Sequence, residues 1–412
     1  MKTSIHNKRK IFNDPIYGFI TIPSEIVYDL IEHPYFQRLR RIKQLGLTHL
    51  VYPGAYHSRF HHALGAMHLM MNAIDVLKNK GNEITDEEAE GVIIAILLHD
   101  IGHGPFSHAL ETSITNNVHH EEISLMFMEA LNDEFGGKLQ TAIDIFSGKY
   151  HKKFLHQLVS SQLDMDRLDY LKRDSFYTGV SEGVIGTERI IKMLNVRNDY
   201  LCLEEKGIYS IENFLNARRI MYWQVYLHKT VLSAEFLLVK ILEKAKQLIQ
   251  SGEVLFGTPT FIEFLKNDYS LDDFKSNPSL LKKFSQLDDF DILTSTKVWC
   301  EHPNASLSQL CLQLINRKLY KIKVQDQPFE EDYVSLLKDK CVNQLGIPVE
   351  DLDYFVFSEN IKTRIYDPEN NSINLLMKDG QTIDISKVSD QLKGHQFTPE
   401  NKYFICYPKN LS

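Results

Sequence analysis

Residues 92–108 read VIIAILLHDIGHGPFSH, and this stretch decides how we interpret the rest of the chain. Apolar residues at 92–98 lead directly into His99 and Asp100. The run predicts a buried helix that ends near Gly102 or Gly104, because glycine, and the proline that follows Gly104, stop helices. The sequence therefore predicts an imidazole and a carboxylate at the inner end of a buried helix.

The buried pair His99 and Asp100 needs a partner. An unpaired buried polar group costs roughly 2–7 kcal/mol, and an isolated charge costs far more. A metal ion would satisfy both groups; the alternative is a core histidine that is hydrogen-bonded to its neighbours. His103 and His108 follow within nine residues of His99, and this clustering favours the metal site.

The composition is that of an ordinary globular protein, with 412 residues, 43% of them hydrophobic and 24% charged. This length predicts two or three domains. The net charge of −8 argues against stable binding to nucleic acid, because neutralising phosphates needs a basic surface. The five cysteines form no CxxC motif, and no apolar run reaches ~18 residues. We expect a cytoplasmic protein without a membrane partner.

The pattern predicts a mainly α-helical chain that begins with a short β segment at 9–23. Apolar spacing over 24–45 predicts two helices, with a break at His33 and Pro34. Four basic residues lie off the apolar stripe of the second helix, namely Arg38, Arg40, Arg41 and Lys43. Such a group forms either a solvated, salt-bridged face or a phosphate contact.

The later part of the chain changes from helices to strands. The segment DYLCLEEKGIYSI at 199–211 predicts a hairpin with its turn at Lys206 and Gly207. Beyond about residue 290, strand-like runs and a turn at Asp379 and Gly380 predict a small α+β unit.

Two histidines and two aspartates, widely spaced along the chain, form a candidate metal site: His62, His99, Asp100 and Asp166. This mixed nitrogen and oxygen set suits manganese, iron, cobalt, nickel or zinc. A divalent ion lowers the pKa of a coordinated water from ~15.7 toward ~7, which predicts hydrolase chemistry. His103, His108 and His120 would then be free for proton transfer or phosphate binding, with Glu111 and Glu121 to orient them. Asp169 and Arg173, four residues apart, either pair on one helix face or join this site.

Several motifs in order along the chain resemble the HD-domain phosphohydrolases. They are HSRFHHALG at 57–65, LLHDIGHGPFSH at 97–108, HHEEIS at 119–124 and DMDRLDYLKRDSFYTGV at 164–180. Within that family the chain resembles the deoxynucleoside triphosphate triphosphohydrolases, which include the vertebrate enzyme with a SAM and an HD domain. The likeness covers roughly residues 9–250. From this likeness, together with the pattern of helices and strands, we expect an N-terminal β segment and helices at 1–50, an HD-domain helical core at 51–255, and a helical connector with an α+β region at 256–412.

The resemblance implies specific roles for residues of this chain. It assigns the four candidate ligands to the metal and places His103, His108 and His120 around the scissile phosphate. Residues that match substrate-binding positions are Arg59, Gln44, Leu45, Tyr170, Asp174, Arg218 and Tyr226. Residues that match a guanine-nucleotide activator site are Lys10, Glu32, Gln37 and Arg40.

Two positions depart from the pattern of the vertebrate enzyme. His61 stands where that enzyme has a glutamate, and the metal-ligating histidine beside it is retained. Glu32 stands where it has an aspartate that reads the activator guanine, which leaves nucleotide activation open.

The leading interpretation is metal-dependent hydrolysis of dNTPs to deoxynucleoside and inorganic triphosphate, with Mg²⁺ accompanying the nucleotide and a homo-oligomer expected by resemblance. An alternative keeps the metal site but hydrolyses a nucleoside monophosphate or another phosphoester. A third interpretation is a nucleotide-sensing module without turnover.

Overall fold

The computed structural model describes residues 10–106, 118–363, 366, 372–393 and 400–411. An antiparallel hairpin comes first, formed by β1 (Ile11–Asp14) and β2 (Gly18–Thr21). Helices α1 (Glu25–Glu32) and α2 (Pro34–Gln37) follow, and His33 between them is extended. The predicted break at His33 is therefore confirmed.

In the part of residues 59–178 that the structure describes, the helices are α3 (Arg59–Asn79), α4 (Asp86–Leu98), α5 (His120–Glu134), α6 (Gln140–Phe146), α7 (Lys153–Val159) and α8 (Met165–Thr178). Thr85 and Glu88 cap the start of α4 reciprocally, which anchors the helix in register. Residues 91–98 of α4 are all buried, and α3 packs against both α4 and α8. The end of α4 consequently lies inside the protein.

The chain continues through helices and short strands. They are α9 (Thr187–Met193), β3 (Leu194–Arg197), β4 (Tyr200–Glu204), α10 (Ile208–Met221), α11 (Lys229–Gln250), α12 (Pro259–Lys266), α13 (Leu271–Ser276), α14 (Pro278–Phe284), α15 (Asp289–Trp299) and α16 (Ala305–Ile315). A π-helical turn at Tyr222–Tyr226 separates α10 from α11.

The C-terminal part of the chain adds two strands to the sheet begun by β3 and β4, and it forms a second, three-stranded sheet. Its elements are β5 (Lys321–Gln325), α17 (Glu331–Lys340), α18 (Leu352–Phe355), β6 (Phe357–Thr363), β7 (Asn374–Leu376), β8 (Thr382–Asp384), α19 (Ile385–Val388) and β9 (Glu400–Tyr407). One sheet has the order β3-β4-β7-β8 and the other β5-β9-β6. The predicted fold class, mainly α with a short N-terminal β segment and a small α+β C-terminal region, is confirmed.

The basic segment after α2 differs from the predicted helix. Arg38–Arg41 form a 3-10 turn, and Lys43 then bridges to Ser58 in extended conformation. Arg38 is fully buried because its guanidinium donates to the carbonyl oxygens of His103 and Ile101, at 2.9 and 2.7 Å. A solvated face was therefore the wrong interpretation for Arg38.

The hairpin near residue 200 turns at a different place from the predicted one. β3 and β4 are joined by Asn198 and Asp199, which have φ of 51° and 66°. Asn and Asp tolerate this left-handed conformation, which a two-residue hairpin turn requires. Lys206 and Gly207 instead lie in a 3-10 turn before α10.

The buried apolar residues form one cluster that extends from Ile20 to Leu411. The division of the chain at residues 50 and 255 stays a prediction. Among the helices of the described ranges, none combines the length and apolar character needed to cross a bilayer.

Gly65 on α3 is required where α3 crosses α8. A Cβ at Gly65 would overlap the Asp169 carboxylate and the Arg173 guanidinium. We expect Gly65→Ala to lower the free energy of unfolding by about 2–3 kcal/mol, because overpacking displaces a buried ion pair. Urea denaturation checks this. Gly186→Ala is the control, since a Cβ there comes no closer than 3.9 Å to a neighbour. Equal stability of the two variants would contradict the prediction.

Candidate active site

The four predicted ligands converge from three helices. His62 lies in the first turn of α3, Asp166 in the first turn of α8, and His99 and Asp100 directly follow α4. The Nε2 atoms of His62 and His99 lie 3.1 and 3.5 Å from Asp166 Oδ1. Asp100 Oδ1 is 3.3 Å from His99 Nε2, and Asp100 Oδ2 is 3.7 Å from His62 Nε2.

This geometry fits a metal ion. Ligand atoms at ~2.0–2.2 Å from one ion and at right angles to each other lie about 3 Å apart. His62 Nδ1 faces Asp169 Oδ2 at 2.8 Å, and His99 Nδ1 faces the Ile96 carbonyl oxygen at 2.6 Å. The Nε2 atoms of both histidines are buried and have no hydrogen-bond partner within the described ranges. Hydrogen bonds at Nδ1 fix the tautomer that leaves a lone pair on Nε2 for a metal.

The electrostatics of the site favour a cation. Burial alone would lower the pKa of His62, but the Asp166 and Asp169 carboxylates outweigh it and raise that pKa to about 10. Burial opposes ionisation of Asp166 as well, yet the two histidines hold its pKa below the usual range. A positive charge at the common point is thus stabilised, and a divalent ion supplies one.

Asp169 forms a second layer behind the ligands. It accepts a hydrogen bond from His62 Nδ1 and two from Arg173, at 2.9 and 3.0 Å. Arg173 also donates to Asp14 Oδ2 at 2.8 Å, which ties α8 to the N-terminal hairpin. Asp169 and Arg173 therefore pair on one face and also support the site.

The turn after α4 is held from two sides. Ser124 Oγ donates to the His99 carbonyl oxygen at 2.7 Å and accepts from Gly102 N at 2.9 Å. A Cβ at Gly102 would overlap backbone atoms of α5. Arg38 binds the carbonyl oxygens on the other side. Only glycine at 102 permits this close approach of α5.

A cavity of about 440 Å³ opens beside the ligands. Its walls include ten of the predicted site residues: Gln44, Leu45, Arg59, Asp100, His103, His120, Asp166, Tyr170, Asp174 and Tyr226. His62 and His99 are not among the lining residues. The volume is within the range of ~300–1,000 Å³ that is usual for small-molecule sites.

Titratable groups form one end of this cavity. The Arg59 guanidinium contacts Asp100 Oδ2, and His103 Nε2 lies 3.4 Å from Asp100 Oδ1. The rings of His103 and His120 stack with centroids 3.8 Å apart. Burial and the Arg59 charge lower the pKa of His103 well below its usual value, so its imidazole is neutral at pH 7. A neutral imidazole can accept a proton and, as the imidazolium it then becomes, donate it.

A carboxylate and aromatic rings form the other end. The Tyr226 hydroxyl donates to Asp174 Oδ2 at 2.7 Å, and the Tyr170 and Tyr226 rings meet edge to face at 6.2 Å. Burial and the Asp174 charge raise the pKa of Tyr226 well above its usual value, which keeps the hydroxyl protonated. Gln44 Oε1 is buried and, within the described residues, has no hydrogen-bond partner.

Four predicted site residues lie elsewhere or are not described. Arg218 Nη1 donates to Gln162 Oε1 at 2.9 Å, and Arg218 does not line the cavity. Glu121 is exposed at the start of α5, also outside the lining. His108 and Glu111 lie outside the described residues.

Among the lining residues that the sequence analysis did not name, two are charged, Arg167 and Glu235. Arg167 follows Asp166 directly, so a scan of each ligand's neighbours would have found it. Glu235 lies on α11, and burial raises the pKa of its carboxyl to about 8. No local signal distinguishes it from other acidic residues of amphipathic helices.

The four predicted activator residues lie near the start of the chain and around α2. Arg40 Nε donates to Gln37 Oε1 at 2.8 Å, and the Arg40 guanidinium lies 3.6 Å from the centre of the Phe60 ring. A hydrogen bond to Tyr28 and, more weakly, the Glu32 charge raise the pKa of Lys10. Burial lowers the pKa of Arg40, and the Glu32 charge opposes this shift. Their role as an activator site stays a prediction.

Two family models match the chain, the HD domain over residues 59–174 and the HD associated region over residues 185–254. A solved phosphohydrolase structure from Bacteroides thetaiotaomicron is 54% identical, covers 97% of this chain and 99% of that one, and has a TM-score of 0.94.

Curated relatives give a similar result. The uncharacterized protein YwfO of Bacillus subtilis is 34% identical over 98% of this chain and 93% of its own length. The deoxynucleoside triphosphate triphosphohydrolase SAMHD1 homolog of Dictyostelium discoideum is 35% identical over 63% of this chain. The match spans only 54% of that relative's length.

Asp169→Asn tests the second layer. We expect metal affinity to fall about 10–100-fold, because the variant weakens the hydrogen bond that orients His62. Competition with a chelator, followed by elemental analysis, measures this. Asp75→Asn is the control, since Asp75 is exposed on α3, the helix that carries His62. Unchanged affinity in Asp169→Asn would show that Asp169 serves only the ion pair with Arg173.

Proposed function

This chain belongs to the HD-domain phosphohydrolase family, and from that premise we propose that it hydrolyses dNTPs to deoxynucleoside and inorganic triphosphate. One observation carries the proposal. One cavity is lined by two of the four metal-ligand candidates, Asp100 and Asp166, by two arginines, and by a carboxylate with aromatic neighbours. The Dictyostelium relative, named as a triphosphohydrolase, supports the choice of substrate.

His62, His99, Asp100 and Asp166 would hold one divalent transition metal, either manganese, iron, cobalt, nickel or zinc. When bound, such an ion supplies Lewis acidity and acidifies a coordinated water. The donor set of imidazoles and carboxylates leaves the choice among these metals open. Mg²⁺ would accompany the nucleotide phosphates.

The charged wall would bind the triphosphate. Arg59 and Arg167 line the cavity, and guanidinium groups bind phosphate oxygens through paired hydrogen bonds. Charge that develops on the phosphates is stabilised by these fixed cations. A phosphate role for Arg218 stays a prediction, because its guanidinium bonds Gln162.

The stacked histidines, His103 and His120, would transfer the proton that the leaving group needs. His103 is neutral and lies beside Asp100, so it can accept a proton from the attacking water and, as the imidazolium, deliver it to the leaving 5′ oxygen or pass it to His120. His108, Glu111 and Glu121 remain candidates for the same task.

The aromatic end would hold the nucleoside. Asp174 and Gln44 offer polar atoms there, while Leu45 and Tyr170 offer apolar surface. We expect apolar surface here to favour deoxyribose, because the further hydroxyl of a ribose would be buried without a partner.

Product chromatography after incubation with each dNTP and Mn²⁺ tests the proposal. We expect deoxynucleoside and triphosphate as products. His99→Ala should lose bound metal and at least ~10³-fold in rate while staying folded, because it removes a ligand. His151→Ala is the control, since His151 is exposed. Release of single phosphates would favour the alternative phosphoesterase, and nucleotide binding without products would favour the sensing module.

Arg40→Ala tests the proposed activator site. We expect weaker stimulation of dNTP hydrolysis by guanine nucleotides and weaker assembly of the proposed homo-oligomer, with unchanged metal content. Activity titrations with GTP and light scattering measure these effects. Arg219→Ala removes another exposed guanidinium as the control. The same stimulation in both variants would remove the activator hypothesis.

A further inference from the structure

His57 is a buried histidine that none of the preceding roles uses. It is 1% exposed, and its Nε2 lies 2.7 Å from Asp174 Oδ1. Its ring stacks on Tyr177, with centroids 4.5 Å apart and planes 20° apart. Its Nδ1 is buried and makes no hydrogen bond to the described residues. The tautomer with the proton on Nε2 donates to Asp174 and leaves only an acceptor unmatched, the less costly arrangement.

The Asp174 carboxylate is therefore held at both oxygens. His57 binds Oδ1, and the Tyr226 hydroxyl binds Oδ2 at 2.7 Å. Each carboxylate oxygen has two acceptor sites, so one on each remains. Asp174 lines the cavity, and a group that enters there meets an acceptor of fixed orientation.

His57 also fixes a second polar group of the cavity. Its carbonyl oxygen accepts from the backbone N–H of Gln44 at 3.0 Å, within the short pairing of Lys43 with Ser58. Gly54, just before it, lies so close to α8 that a Cβ would be 2.5 Å from the Tyr177 carbonyl oxygen. The segment that carries His57 is thus packed tightly against the helix that carries Asp174.

We propose that His57 is a positioning residue that holds Asp174 and Gln44 in place to receive the 3′-hydroxyl of the substrate sugar. This inference rests on the proposed function, because the deoxyribose of a dNTP carries a single free hydroxyl, at the 3′ position. The lone pairs of the Asp174 carboxylate that His57 and Tyr226 leave open can accept a hydroxyl hydrogen, and the negative charge strengthens such a bond. Removal of the imidazole would free the carboxylate to rotate toward Tyr226.

The experiment compares dGTP with 2′,3′-dideoxy-GTP, which lacks the 3′-hydroxyl. Binding is measured by calorimetry with Ca²⁺, and triphosphate release with Mn²⁺. His57→Phe keeps the stacked ring without the donor, and His57→Gln keeps an N–H near the place of Nε2. His156→Phe is the control, since among the described residues that histidine bonds only the Ile145 carbonyl oxygen, at 2.9 Å.

We expect wild type and His156→Phe to bind dGTP about tenfold more tightly than the dideoxy analogue, as a hydrogen bond to a charged group implies. His57→Phe should lose most of this preference, and His57→Gln should keep most of it. A wild-type preference in His57→Phe, or an equal loss for both nucleotides, would overturn the inference. Absence of triphosphate release from wild type would refute the proposed function, while the binding preference would still decide the role of His57.

Discussion

The site depends on one buried carboxylate. Asp169 lies fully buried where α3 crosses α8, bonded to His62 on one side and to Arg173 on the other. An ionised carboxylate in a protein core is stable only when its acceptor sites are filled. Arg173 and His62 fill them and lower the pKa of Asp169 to about 2. The two helices can approach closely enough for this only because residue 65 has no side chain.

The crossing of α3 and α8 also determines how the other polar groups of the site are oriented. His62 is oriented by Asp169 and turns its Nε2 toward Asp100 and Asp166. The turn that carries Asp100 is in turn fixed by Arg38 and Ser124, which bind its backbone from opposite sides. The metal-ligand geometry is thus a property of packed helix ends and of the turn that follows α4.

Much of this arrangement could be predicted from residues 92–108 and the other motifs, because polar residues at the ends of apolar helices must meet inside the fold. His99 and Asp100 were found this way, the family motifs added His62 and Asp166, and the structure brings the four together. The structural roles of Arg38 and His57 could not be predicted from the sequence in this way. Arg38 looks like any basic residue beside an apolar stripe, and its burial depends on carbonyl groups more than 60 residues away. His57 bonds Asp174, 117 positions later, and no local periodicity encodes such a pair. The turn at Asn198 and Asp199 was missed because a neighbouring Lys-Gly pair gave a similar turn signal.

The walls of the cavity come from segments as far apart as Gln44 and Glu235. A compound that fills the cavity contacts all of these segments in the folded chain. It cannot contact them at once in a state in which the segments have separated. A ligand bound in the cavity therefore lowers the population of states in which α11 separates from the N-terminal half. The population falls by a factor of 1 + [L]/Kd, where [L] is the concentration of free ligand. Amide hydrogen exchange in α11 becomes a reporter of what occupies a cavity formed largely by other parts of the chain.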